Sequence, residues 1–360
     1  MAQRLCQRFL CCCLFLSSQL WAVSPQVEVL TDQLQRPWGL AFLPDGRFLV
    51  TEKTGQLRTV SPQGQVSAPI SGLPDIAVIG QGGLLDVAVH PQFAKNQWVY
   101  LSFVEGNAVR GYGVEVIRAR LVNQQLTGVE SLFVSWPKTK GGRHFGSRLL
   151  LTPSAESEKH HLYISLGDRG LRSPAQDLSN HIGAMIRLYD DGSIPADNPF
   201  IGTAGAKPEI FSYGHRNIQG LALHADTGEV WLHEHGPQGG DELNKIEAGK
   251  NYGWPVITYG VNYGSGTKIG EGTHKIGMEQ PRYQWTPSIA PSGLAYYQGS
   301  WLVGALKFQL LARLTPQQNT FVETRFLQRQ YGRIRDVRVL NRTVYLLTDA
   351  DKGRLLRVTF

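Results

Sequence analysis

The chain has 360 residues, 42% of them hydrophobic, and a formal net charge of +7. That is enough apolar material for one large core or two smaller ones. The mild positive excess contains no Lys/Arg run, which argues against a nucleic-acid partner and suits a small anionic ligand at least as well as a polymer.

The opening stretch, MAQRLCQRFLCCCLFLSSQLWA, sets Arg4 and Arg8 ahead of an apolar run from Phe9 to Leu16, then small and polar residues. This is a secretory signal pattern, too short to remain as a membrane anchor. Cleavage is expected after Ala22. Residues 23–360 are then a single exported, periplasmic domain with no stable membrane insertion. All four cysteines (Cys6, Cys11, Cys12 and Cys13) lie in the leader. The mature chain can therefore form neither a disulfide nor a thiolate metal site.

Apolar runs then recur in similar settings, beginning at residues 38, 82, 146, 219, 292 and 333. Each has a short strand, a turn such as Pro-Asp-Gly or Asp-Thr-Gly, a second strand and often a third. Helical periodicity is almost absent. Six such units predict an all-β fold, a six-bladed β-propeller of four-stranded antiparallel blades. A β-sandwich is the alternative, which six similar units disfavour. The uneven spacing of the units predicts long loops around 105–145, 171–210 and 255–290, where function usually sits.

In a propeller, loops entering the innermost strands converge at one mouth of the central channel. His215, Arg216 and Asn217 directly precede the apolar strand at Leu221. Gln81 precedes GGLLDVAV, His144 precedes FGSRLLL, Arg333 and Arg335 precede DVRVL, and Lys307 lies in GALKFQLL. One imidazole, several cations and neighbouring amides would then surround one axis, a site for an anionic, planar or polycarboxylate ligand.

The segments GQGGLLDVAVHPQF, GRHFGSRLLL, YISLGDRG, DGSIPADNPF, YGHRNIQGLAL, EHGPQGGDELNKIEAGKNYGWP, LKFQLLARL and RIRDV occur in this order. Together they resemble the soluble quinoprotein glucose/sorbosone dehydrogenase family, in particular its aldose sugar dehydrogenases that use pyrroloquinoline quinone (PQQ). The resemblance covers residues 30 to 360. It implies His144 as catalytic base, with Arg216 and Asn217 beside the quinone. It implies Gln81, Lys307, Arg333 and Arg335 as holders of the PQQ carboxylates and carbonyls. Gly236 and Pro237 match carbonyl ligands of a calcium ion (Ca2+) on PQQ, and Glu242 and Tyr252 match a second, structural calcium. Trp285 falls where the family places an aromatic near the sugar. Asp168 is a candidate to orient His144 on residue type and blade position.

Those residue types suit oxidation of an aldose at C1 to a lactone: a neutral imidazole takes the hydroxyl proton, and the hydride goes to calcium-bound PQQ. An external electron acceptor is then required. Arg143 and Arg169 replace an Asp and a Gln of better-known glucose-oxidising members and add positive charge on the sugar side. The loop from Val256 to Gln284 is short, where the family has longer insertions that help build a dimer, so the resemblance implies a monomer; the shallow loop rim predicts an open sugar pocket. A histidine like His144 taken singly is more often a surface or core-bonded residue, and only the company of the other motifs reverses that. Arg333 and Arg335 have the lesser alternative of one solvated face, and Asp241 and Glu242 that of capping a turn or facing water. His160–His161 and His233/His235 raise a transition metal as an option, but the alternation of the second pair reads as a surface feature. Two other function classes stay open: a calcium-dependent propeller lactonase or other hydrolase, and a non-catalytic carbohydrate-binding propeller.

Overall fold

The structure is a computed structural model that describes residues 24–155 and 158–360; the expected signal segment, 1–22, lies outside the described residues. The chain is built from strands gathered into six sheets. Strand β1 (Gln26–Leu34) comes first. The first blade is β2 (Pro37–Phe42), β3 (Phe48–Glu52) and β4 (Gln56–Val60); the second is β5 (Leu84–Val89), β6 (Trp98–Asn107), β7 (Gly111–Val122) and β8 (Gln125–Val134). The third is β9 (Gly146–Pro153), β10 (His160–Leu166), β11 (Met185–Tyr189) and β12 (Ile210–Ser212). The fourth is β13 (Ile218–Leu223), β14 (Val230–Glu234), β15 (Asp241–Lys245) and β16 (Tyr283–Trp285). The fifth is β17 (Pro291–Tyr297), β18 (Ser300–Ala305), β19 (Leu310–Gln317) and β20 (Thr320–Phe326). The last is β21 (Ile334–Leu340), β22 (Thr343–Thr348) and β23 (Gly353–Thr359). Every strand pair is antiparallel, and two four-residue helical turns are the only helices among the described residues.

Ring closure uses both termini. β1 pairs with β23, Val27 opposite Val358, so the N-terminal strand completes a blade whose other three strands are C-terminal. This joins the two ends of the chain without leaving a sheet edge between them. The first blade has three strands, and residues 66–70 run along β4 through Ser67 N–H to Thr59 O and Ile70 N–H to Leu57 O. Pro69 supplies no N–H to extend that ladder.

The strands nearest the axis (β2, β5, β9, β13, β17 and β21) contact one another in sequence around the ring. In each blade a register shift falls at the start of the innermost strand, as between Leu84 and Val87 or Ile218 and Gly220. Such bulges turn side chains toward the channel mouth. Close approach explains the glycines here: a Cβ on Gly220 would lie 2.2 Å from His233 Nε2, and one on Gly293 2.2 Å from Val337 N.

Ion pairs fill the axis itself. Arg148 bonds Asp336 at 3.0 Å and Asp86 at 3.3 Å, and Arg338 reaches the same carboxylates at 3.0 and 2.9 Å. Asp86 and Asp336 also accept the backbone N–H groups of Leu149 and Leu40. Buried charges of this kind survive because each is paired and hydrogen-bonded. The plug leaves the mouth as the place for a site. Apolar clusters between neighbouring blades, such as Trp38, Leu85, Tyr100, Phe145 and Ile164, hold the ring together.

The long loops are partly as expected. Residues 105–145 are largely strand, because β6, β7 and β8 extend beyond the blade as a long hairpin. The segments 171–210 and 255–290 are mostly irregular, and both reach the site.

Candidate active site at the mouth of the propeller

His144 begins the approach to β9 with φ 52°, in the left-handed region, and its N–H is held by Gln81 Oε1 at 2.7 Å. A non-glycine residue persists there only when its surroundings fix it. Its Nδ1 lies 2.6 Å from Asp168 Oδ1. Asp168 is buried; Oδ1 also accepts Gly170 N–H at 2.7 Å, and Oδ2 accepts the indole Nε1–H of Trp254 at 2.8 Å. A carboxylate taking three donors stays ionised, and its pKa lies below the usual value although burial opposes this. An ionised carboxylate only accepts, so Nδ1 of His144 carries the proton and Nε2 keeps the lone pair. Burial, with the nearby Arg216 and Arg143 charges, lowers the His144 pKa despite Asp168.

His144, Asp168, Gln81, Arg216 and Lys307 line one cavity of about 460 Å³, together with Gly236, Pro237, Trp254 and Tyr263. A second cavity of about 200 Å³, lined by Asn217, Arg333, Arg335, Lys53 and Asp349, shares Gln81 and His235 with the first. Cations outnumber carboxylates in both walls. Arg333 and Arg335 meet at Asp349 (3.0 and 2.9 Å), and Arg335 Nε is buried without a hydrogen-bond partner. An orphaned guanidinium N–H beside an excess of positive charge is what an anionic, polycarboxylate ligand would satisfy, so these residues fit PQQ.

Arg216 explains the crowding before β13. Its backbone N–H donates to Glu234 Oε2 at 2.6 Å, and Nη1 donates to the carbonyls of His235 (2.9 Å) and Gly236 (2.6 Å). His215 does not reach the mouth, contrary to the expectation from sequence. It is fully buried, bonded to Glu234 Oε1 and Ser212 Oγ at 2.9 Å each, and anchors the turn that aims Arg216.

Gly236 and Pro237 belong to the cavity wall. Asp241 fixes this turn through Gly236 N–H (2.9 Å) and Ala290 N–H (2.8 Å), and burial pushes its carboxyl up to about 6. The Pro237 oxygen accepts Tyr263 OH at 3.1 Å. Backbone carbonyls of this kind suit a hard cation, although here the Gly236 oxygen already accepts Arg216 and the Pro237 oxygen Tyr263. Glu242 and Tyr252 meet in a separate void of about 10 Å³ with Glu234 and Gly240. Glu234 and Glu242 are cross-strand partners, and burial plus the Glu234 charge pushes Glu242 up to about 8. Calcium would relieve that like-charge pair. The Tyr252 hydroxyl is committed elsewhere, to Lys245 O and Glu247 N–H, so only its backbone remains as a donor.

Two expected substrate residues are elsewhere. Trp285 is 2% exposed and packs in a blade core against Tyr283, outside the cavity wall. Its place on β16, paired with Asp241, points the indole between sheets. Arg169 is buried with its guanidinium on the Arg143 and Gly141 carbonyls and over the Phe145 ring; burial lowers it to about 10. It ties down the loop that carries His144. Arg143, Arg172, Trp254 and Tyr263 take the wall positions instead. Of these, Arg143 was expected on the sugar side and Trp254 lies in the NYGWP motif, whereas Arg172 and Tyr263 carried no sequence signal.

The histidine pairs are structural. His233 and His235 are not a surface pair: each gives Nε2 to a backbone carbonyl, Gly293 O at 3.2 Å and Pro291 O at 2.7 Å. His160 meets His90 and Asp190 between blades, but His90 Nδ1 accepts Gln92 N–H at 2.9 Å. Nε2 of His90 then carries the proton and donates it to Asp190 (3.0 Å), so that ring offers no free lone pair to a metal.

The profile of the Glucose / Sorbosone dehydrogenase family matches residues 34–357. The chain is 43% identical over 361 residues to a protein of Escherichia coli K12 named aldose sugar dehydrogenase YliI, with 96% of each chain covered. The crystal structure of the soluble E. coli aldose sugar dehydrogenase in its apo form superposes with a TM-score of 0.88 at 42% identity, covering 93% of this chain and 99% of that one. The PQQ-bound aldose sugar dehydrogenase of Streptomyces coelicolor gives 0.76 at 29% identity, with 93% and 98% covered. The chain belongs to the Glucose / Sorbosone dehydrogenase family and is an oxidoreductase built on a six-bladed propeller.

Proposed function

We propose that the protein oxidises aldoses at C1 to lactones, with PQQ and calcium as cofactors and His144 as the base. The carrying observation is that His144, supported by Asp168, shares one cavity wall with Arg216 and Lys307. Lys307, Arg333, Arg335, Gln81 and Asn217 would hold the quinone, and the Gly236 and Pro237 carbonyls its calcium. When bound, calcium-polarised PQQ supplies the acceptor for the C1 hydride.

The chain's own residues do the rest. The Nε2 lone pair of His144 takes the C1 hydroxyl proton, and Asp168 stabilises the imidazolium that results. The Arg216 guanidinium, fixed along its Nη1 edge, adds a preorganised positive charge beside the reacting centre. Glu242, Glu234 and the Tyr252 carbonyl would hold a second, structural calcium. A hydrolase reading lacks comparable support, since the axial carboxylates Asp86 and Asp336 are already paired with Arg148 and Arg338.

The reading includes export to the periplasm, with residues 23–360 as one catalytic domain, a monomeric state and an external electron acceptor. No helix among the described residues is long and apolar enough to cross a membrane. Titration of PQQ into the purified mature chain, followed by absorbance with calcium or a chelator, tests the cofactor assignment. Calcium-dependent binding is expected; absence of binding in either condition rejects it.

A further inference from the structure

Trp254 touches both halves of the proposed machinery. Its ring is 5% exposed, its Nε1–H donates to Asp168 Oδ2 at 2.8 Å, and the Arg216 guanidinium lies 5.3 Å over its face. Its backbone is fixed on both sides: N–H to Gly214 O at 2.8 Å, and O accepting Gln176 Nε2 at 2.8 Å. The indole is therefore a rigid donor that comes from the fourth blade to a carboxylate on the third.

Rotation of a carboxylate about its last torsion has no sharp rotamer wells. His144 and Gly170 both donate to Oδ1, so Trp254 is the one side-chain donor to Oδ2 among the described residues. Without it the carboxylate plane would be held from one oxygen and the bond to His144 Nδ1 less sharply directed. We propose that Trp254 is a positioning residue: it locks the Asp168 carboxylate so that Oδ1 holds His144 in the Nδ1–H tautomer, and its ring face seats Arg216. One side chain thereby couples the base to the cation across the cavity. This inference rests on the function proposed above.

Trp254→Phe keeps an aromatic face for Arg216 and removes the N–H donor together with part of the buried ring volume, so the Asp168→Asn comparison and the resonances below isolate the donor's share. Loss of one hydrogen bond to a charged group predicts about a tenfold fall in kcat, with KM for the aldose within about twofold. Asp168→Asn combined with Trp254→Phe is expected to cost no more than Asp168→Asn alone, because both act through one carboxylate. Additive losses, or an unchanged kcat in Trp254→Phe, would overturn the proposal. A second readout needs no quinone. In the mature chain, proton NMR of the His144 Nδ1–H is expected to show a protected, downfield resonance that Trp254→Phe exposes to fast exchange. Reciprocally, Asp168→Asn is expected to move the Trp254 indole N–H resonance. Resonances that stay fixed in both variants contradict the coupling even if the protein proves not to use PQQ, whereas shifted resonances with no turnover would sink only the functional reading.

Discussion

Asp168 gives one oxygen to His144 at 2.6 Å and the other to Trp254 at 2.8 Å, so its charge is spent on orientation and none of its oxygens is left to act as a base. On the proposed function, the imidazole is left as the proton acceptor. Asp168→Asn removes the ionised acceptor that selects the Nδ1–H tautomer, and kcat is expected to fall by about 10²-fold or more with quinone binding intact. Steady-state kinetics of the reconstituted variant checks this.

The same pair sets the pH dependence. Burial, Arg216 and Arg143 lower the His144 pKa, and a base acts only when deprotonated. The acid limb of kcat/KM is therefore expected below the reference value of ~6.5, with full activity at neutral pH. A limb above that value, measured with the calcium concentration fixed, would assign the titration to another group.

On the proposed function, quinone affinity draws on cations of both cavities, Lys307 in the first and Arg335 in the second. Arg335→Met and Lys307→Met each remove one charge-assisted contact, and each is expected to weaken PQQ binding by about 10–100-fold. Trp285→Phe serves as the control: a blade-core indole outside the wall predicts unchanged quinone affinity and unchanged KM for the sugar. Absorbance titration separates the three.

In the proposed second calcium site, half-buried Glu242 faces buried Glu234 across neighbouring strands. Glu242→Gln is expected to raise the melting temperature of the metal-free protein and to shrink the stabilisation by calcium, which at a hundredfold excess over Kd is worth about 2.7 kcal/mol for an intact site. Scanning calorimetry with and without chelator reads both.

Acid stability reports the buried histidines. Burial lowers His233 to about 3, so between that value and the unfolded ~6.5 the unfolded chain binds more protons than the folded one. Stability is expected to be fully present above the unfolded value and to fall by about 1.4 kcal/mol per pH unit, for this residue, as pH drops through the window. His233→Gln should flatten that slope in denaturant titrations.

The propeller was legible because its determinants are local: short apolar runs and tight turns such as Pro44-Asp45-Gly46, where Gly46 takes φ 86°. The convergence of Gln81, His144, Arg216 and Lys307 followed from one topological rule, that loops entering the inner strands share a mouth. Side-chain direction did not follow. His215 and Arg216 are neighbours, yet one anchors the core and the other lines the cavity. Arg169 and Trp285 occupy positions that resemblance marks as substrate contacts. Here the Arg143 and Gly141 carbonyls claim the guanidinium, and the β16 register buries the indole. The axial network of Arg148, Asp86, Asp336 and Arg338 was hidden because an isolated charge in an apolar strand names no partner.

The decisive measurement compares wild type with His144→Ala after reconstitution with PQQ and calcium, following aldose-dependent dye reduction while absorbance reports quinone occupancy. Wild type is expected to turn over, and the variant to keep its quinone while losing at least ~10²-fold in rate. Equal turnover in both proteins, or no quinone uptake and no oxidation of any aldose by wild type, would contradict the account.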